Sequence, residues 1–226
     1  MAFTPEAPDF LFENWSRNDR NWYHEHKEQY KTLIQEPFIQ FVRDLQPVML
    51  GIDPLMDCSE KRISRVYRDA RLVGSGPFFR DHIWCTMGRG RDLYWGFPTF
   101  FFELSSQGYR YGMGYYVPAK EAIEAIRKLI LAEDKTFVKA LRAEKKLKAF
   151  HLEGESYKRN HFPNAPEAYW NWLNRKNFCW VSDLIDDPSL YAEDLSEKVA
   201  ADFKAAAPIY HFLIKAETAW REKAKN

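Results

Sequence analysis

Cysteine is scarce: Cys58, Cys85 and Cys179 are odd in number and far apart along 226 residues, which excludes a disulfide framework and a Cys-x-x-Cys zinc site. The three read as buried free thiols. Neither sign of charge dominates, with 33 Lys and Arg against 32 Asp and Glu, so there is no global electrostatic case for wrapping nucleic acid or lying on an anionic membrane. No apolar run approaches the ~18 residues of a spanning helix. Met1-Ala2-Phe3-Thr4-Pro5-Glu6 has neither a basic start nor an apolar signal core, so a cytoplasmic chain without membrane contact is expected. Internal repeats, low-complexity tracts and long Gly/Ser linkers are absent, and the simplest expectation is a single domain over residues 1–226. There is no His-x-x-x-His pair and no acidic calcium loop, and His24 and His26 diverge on a helix, so neither a metal nor a cofactor is expected.

Aromatic residues, by contrast, make up 16% of the chain and hydrophobic residues 46%, which excludes global disorder and supplies a sizeable core. Trp22, Tyr23, His26, Tyr30, Leu33, Ile34, Phe38, Phe41, Val42 and Leu45 recur at three and four. That spacing predicts a helix over residues 19 to 46, capped by Asn18 and restarted or kinked at Pro37, with Trp22 and His26 buried. A shorter helix is expected from Ala7 to Trp15. Strands are predicted at Ile63 to Tyr67, His82 to Met87, Thr99 to Leu104, Tyr109 to Val117 and Phe178 to Val181. Ser105-Ser106-Gln107-Gly108 suits a hairpin loop. Pro118 opens a helix striped by Ala122, Ile123, Ile126, Leu129 and Ile130, and Asp134 caps the next. Asn164 is expected to cap a helix beginning with Pro166, and Pro208 to divide a helical carboxyl-terminal region. The order of elements predicts an α+β fold: an antiparallel sheet with a central β-hairpin, packed against amino- and carboxyl-terminal helices.

Charge is concentrated in one place. Between Lys61 and His82 stand six Lys or Arg and two Asp, including Arg62, Arg65, Arg68 and Arg71 at intervals of three. Guanidinium groups favour bidentate pairing with carboxylates and phosphates, so the segment is the candidate site. Arg65, Arg68, Arg71 and Arg80 are the candidate anion contacts, with Asp69 as orienter or base and His82 beside them. As a strand, Arg62 and Arg68 would share one face and Arg65 and Arg71 the other. The competing reading is a network of structural ion pairs through Asp69 or Glu103. A second basic run, Lys135 to Lys148, alternates with apolar residues and reads as a solvated helix face. Gly112 and Gly114 on one strand face read as close packing or as the floor of a pocket.

Asn18 with Trp22-Tyr23-His24-Glu25-His26-Lys27 and Tyr30 is one of several motifs in a consistent order. The others are Arg65-Val66-Tyr67-Arg68-Asp69-Ala70-Arg71, Gly114-Tyr115-Tyr116-Val117-Pro118, Tyr157-Lys158-Arg159 and Leu173-Asn174-Arg175-Lys176-Asn177-Phe178. Together they span nearly the whole chain, which resembles a family of bacterial and fungal proteins catalogued as domain of unknown function 2461. The resemblance implies an α+β single domain and no particular reaction. This chain has Ser75-Gly76 where the family pattern carries Asp-Lys, and Arg80 in place of its final Lys. The leading expectation is a soluble domain that binds a small anionic ligand in an arginine-rich, aromatic-lined pocket. The alternatives are a nucleic-acid-associated protein using the same arginines, against which the near-zero charge weighs, and a structural or interaction protein. No nucleophile and base can be paired from the sequence, which leaves open whether the pocket is catalytic.

Overall fold

The computed structural model describes residues 3–69, 76–90 and 96–224. It is an α+β fold. A five-stranded antiparallel sheet runs in the order β1-β2-β3-β5-β4, with β1 His82–Gly88, β2 Thr99–Ser105, β3 Gly108–Tyr115, β4 His151–Glu153 and β5 Phe178–Val181. β4, too short to show an alternating pattern, was not expected. Its pairing with β5 sets Leu152 opposite Trp180. No helix among the described residues is long and apolar enough to cross a membrane.

Contacts divide the chain into two units, one comprising Met1–Met87, Phe101–Tyr111 and Asp183–Ala200, the other Gly88–Phe100, Gly112–Ser182 and Ala201–Asn226. The first is built on helices α1 Glu6–Arg17, α2 Arg20–Glu25, α3 Lys27–Tyr30 and α4 Glu36–Ile52, with a π-helical turn at Lys31–Gln35. Its core includes Phe3, Phe38, Phe41 and Phe102, whose rings meet at centroid distances from 4.4 to 6.2 Å. The expected helix over 19–46 is thus several pieces, and Asn18 does not start it. Asn18 ends α1 in the left-handed region at φ 49°, which Asn tolerates better than most residues. Its side-chain oxygen accepts a bond from the Phe78 N–H at 2.6 Å. Asp19 is the cap of α2, accepting from Asn21 N–H at 2.7 Å. Trp22 and His26 are half-buried, not buried: their rings stack at 4.1 Å, and His26 Nδ1 lies 2.8 Å from the Trp22 carbonyl.

The strand expected at Ile63 to Tyr67 is reduced to two isolated bridges, Ile63 to Cys85 and Tyr67 to Phe79. Four residues on one side face six on the other, so the register slips by two and no continuous ladder can form. The Ser64 hydroxyl takes over one ladder position, accepting from Trp84 N–H at 3.0 Å.

The second unit carries α5 Lys120–Leu131, α6 Lys135–Glu144, α7 Glu167–Leu173 and most of α8 Leu195–Lys223. Asp134 caps α6 as expected, through Thr136 N–H at 2.8 Å. Asn164 does not cap α7; Pro166 occupies that position without a side-chain bond. Nor does Pro208 divide the terminal helix. An internal proline costs a helix about 3 kcal/mol, but Phe203 and Ala206 before it and Ile209, Tyr210, Phe212 and Leu213 after it are all fully buried, so packing holds both halves on one axis. Glu144 accepts bonds from the indoles of Trp172 at 2.6 Å and Trp180 at 3.0 Å, tying α6 to α7 and β5.

Candidate functional site

Within the first unit lies a concavity of about 280 Å³. Three tyrosines form its wall: Tyr23 from α2, Tyr30 from α3 and Tyr67 from the bridged segment. The Tyr23 ring meets Tyr30 at 5.7 Å and Tyr67 at 5.2 Å, both edge to face, the geometry that ring quadrupoles favour. Phe79 backs them, 4.8 Å from the Tyr67 ring. Burial, then the neighbouring Tyr67, pushes the Tyr23 phenol up to about 12. Burial foremost raises Tyr30 and Tyr67 as well, with Arg20 opposing the shift at Tyr67. All three therefore stay protonated at neutral pH and can only donate or accept hydrogen bonds as neutral groups. Among the described residues, none of the three hydroxyls has a hydrogen-bond partner within the protein.

The rest of the wall is mixed. Ile39, Ile63 and Val66 give it an apolar side, while Gln35, Ser64, Glu60 and Arg65 bring polar groups. Glu60 is already paired with Arg43 at 2.7 Å. Arg65 is exposed and, among the described residues, has no ion pair. Among the described residues no histidine stands in the wall, and its one carboxylate, Glu60, is engaged by Arg43. Burial first, then Asp57, pushes the Cys58 thiol up to about 11, and burial pushes Cys85 up to about 12. Both are inert buried thiols, as the sequence implied.

The structure separates the candidate site residues. Arg65 lines the cavity. Arg68 is exposed and does not line it, and its N–H donates to the Phe78 carbonyl at 2.8 Å. Asp69 is half-buried, and Arg71 lies outside the described residues. Arg80 and His82 come together on Trp84, the guanidinium carbon 4.7 Å over the indole and the imidazole centroid 5.3 Å from it. His82 Nδ1 also contacts Asp81 at 2.6 Å. Arg62 turns inward and is 2% exposed, donating from Nε to the Thr86 hydroxyl at 3.1 Å. Glu103 pairs with Arg110. In the second unit the basic residues of α6, Lys135, Lys139 and Arg142, are exposed, the solvated face read from their spacing. Gly112 belongs to close packing, since β5 backbone fills the space where its side chain would be.

Sequence reasoning missed Gln35, Ile39 and Glu60 as wall residues. Tyr23 and Tyr30 stood only as members of a helical stripe.

An α+β domain with a tyrosine-walled, arginine-edged cavity is the class that this geometry defines. The chain belongs to the family described as conserved hypothetical protein (DUF2461), which matches residues 6–212. No curated protein and no solved structure matches it.

Proposed function

We propose that the chain binds a small ligand bearing an oxyanion in the tyrosine-walled cavity, with Arg65 as the charged contact and Tyr23, Tyr30 and Tyr67 as neutral donors. The observation that carries this reading is that three phenols and Arg65, which have no hydrogen-bond or ion-pair partner for their side-chain polar groups among the described residues, line one cavity. Neutral donors lining the same cavity as a cation suit an acceptor-rich anion, to which hydrogen bonds are charge-assisted and stronger than to water's neutral oxygen. Arg68 and Arg80 belong to the same reading as further cations that draw an anion toward Arg65. Binding is favoured over turnover because, among the described residues, the wall's one carboxylate is already held by Arg43. An intracellular setting, supported by three buried free thiols, completes the reading.

Thermal unfolding with a panel of phosphate, sulfate and small carboxylates tests it. At a hundredfold excess over Kd a ligand stabilises by about 2.7 kcal/mol, or roughly 5–11 °C for a domain of this size. At least one anion should produce such a shift in the wild type and none in Arg65→Met, whose basal Tm should stay within a few degrees. A shift that survives in Arg65→Met, or no shift with any anion, refutes the proposal. A single-stranded oligonucleotide that binds tightly and weakens steeply with salt would transfer the site to nucleic acid.

A further inference from the structure

The helix behind the cavity departs from its own period. Tyr30, Gln35 and Ile39 all line the wall, at intervals of five and then four residues. In a regular α-helix a residue five positions on is rotated by about 140° from the first, so Gln35 would face away from Tyr30. The π-helical turn at Lys31–Gln35 accommodates one extra residue and brings Gln35 back under Tyr30. Ile34, which the regular period would have put there, is instead fully buried in the core. The irregularity thus exchanges an apolar side chain for an amide at the wall that also holds Arg65.

We propose that this turn sets the ligand class: Gln35 and Arg65 together select a singly charged carboxylate on a compact apolar or aromatic body. The inference rests on the anion-binding reading above and narrows it. Among the described residues Arg65 is the one cation in the lining, and Glu60, the carboxylate of the same wall, is paired with Arg43. With Glu60 and Arg43 cancelling, the described lining carries one net positive charge, which a carboxylate monoanion matches and a phosphate dianion exceeds. A carboxylate has about four acceptor positions, which the guanidinium, the Gln35 amide and the phenols can satisfy. Ile39, Ile63, Val66 and the tyrosine ring faces accept the apolar body. At about 280 Å³ the cavity sits at the lower end of ligand pockets, which run from about 300 to 1,000 Å³, so that body is small.

Calorimetric titration with phenylacetate, benzyl alcohol and phosphate decides it, on the full chain and on Arg65→Met and Gln35→Leu. Phenylacetate should bind the wild type at least about tenfold more tightly than phosphate or benzyl alcohol do. It should weaken by about tenfold in Gln35→Leu, the loss of one hydrogen bond to a charged group, and vanish in Arg65→Met. Phosphate binding as tightly as phenylacetate through Arg65 overturns the ligand class while leaving the anion site standing. Unchanged phenylacetate affinity in Gln35→Leu overturns the role of Gln35. Absence of binding by either anion removes both this inference and the reading beneath it.

Discussion

Replacing Gly112 by Ala should cost the protein about 3 kcal/mol, for a reason confined to two strands. Gly112 on β3 faces Val181 on β5 in antiparallel register. A Cβ at Gly112 would stand 2.1 Å from the Trp180 carbonyl oxygen and 2.9 Å from Val181 Cα. The first distance is 0.9 Å inside the 3.0 Å below which real Cβ atoms essentially never come, and both obstacles are backbone. No rotamer change relieves it, so the pair must separate or bend. Overpacking costs typically about 1–3 kcal/mol and occasionally more, and rigid atoms on the far side place this case at the upper end. At about 2–4 °C per kcal/mol the Tm should fall by roughly 6–12 °C. Gly114 is the control two residues along the same face. A Cβ there would meet the Cys179 Sγ at 3.4 Å, an ordinary contact with a side chain. Gly114→Ala should stay within about 1 kcal/mol of wild type, because a compatible Gly to Ala change recovers about 0.4–1 kcal/mol through the unfolded state. Urea unfolding followed by tryptophan fluorescence measures both. A Gly112→Ala protein within about 1 kcal/mol of wild type, or a Gly114→Ala protein equally damaged, would refute the close approach of β3 and β5.

Glu217 on α8 is fully buried and accepts bonds from the Tyr115 hydroxyl, from Trp220 Nε1 at 2.7 Å and from Arg221 Nε. Glu217→Ala leaves a buried phenol without its acceptor and should destabilise by about 3 kcal/mol, the lower end for a broken buried pair, since the Arg221 side chain is 40% exposed and can turn to water; a urea-unfolding loss under about 1 kcal/mol would count against the network. Asp134 accepts from Lys215 Nζ at 2.6 Å and from Thr136, and these bonds hold its carboxyl at about 2, below the usual 3.8. A depressed folded pKa contributes stability above the unfolded value and loses it as pH falls through the folded one. The stability gap between wild type and Asp134→Asn should therefore be steady above about pH 5 and close between about pH 4 and 2. A gap independent of pH over that window would show that the charge contributes nothing.

Much of the fold was readable because its signals are local. Tyr109, Tyr111, Met113 and Tyr115 fall on one face of the expected strand, and the structure buries all four. The stripe of α5 and the cap at Asp134 needed only their own neighbours. Asn18 was misread because Asn serves at either end of a helix; its partner at Phe78 stands 60 residues away. Pro208 was misread because its local cost is outweighed by packing that no window of sequence contains.

The chain alone thus determined the α+β class, most strands, the buried thiols and a cationic segment around Arg65. Tertiary structure decided which of those cations face a cavity. Arg62, three residues before Arg65, goes inward to Thr86, while Arg65 joins Tyr23 and Tyr30 from helices some forty residues earlier. Gln35 reaches the same wall only through a π-helical turn, which leaves no trace in a pattern of threes and fours. Periodicity and capping are properties of neighbours along the chain and can be read there. A cavity wall is assembled by burial from segments distant in sequence, and its membership exists only once they have packed.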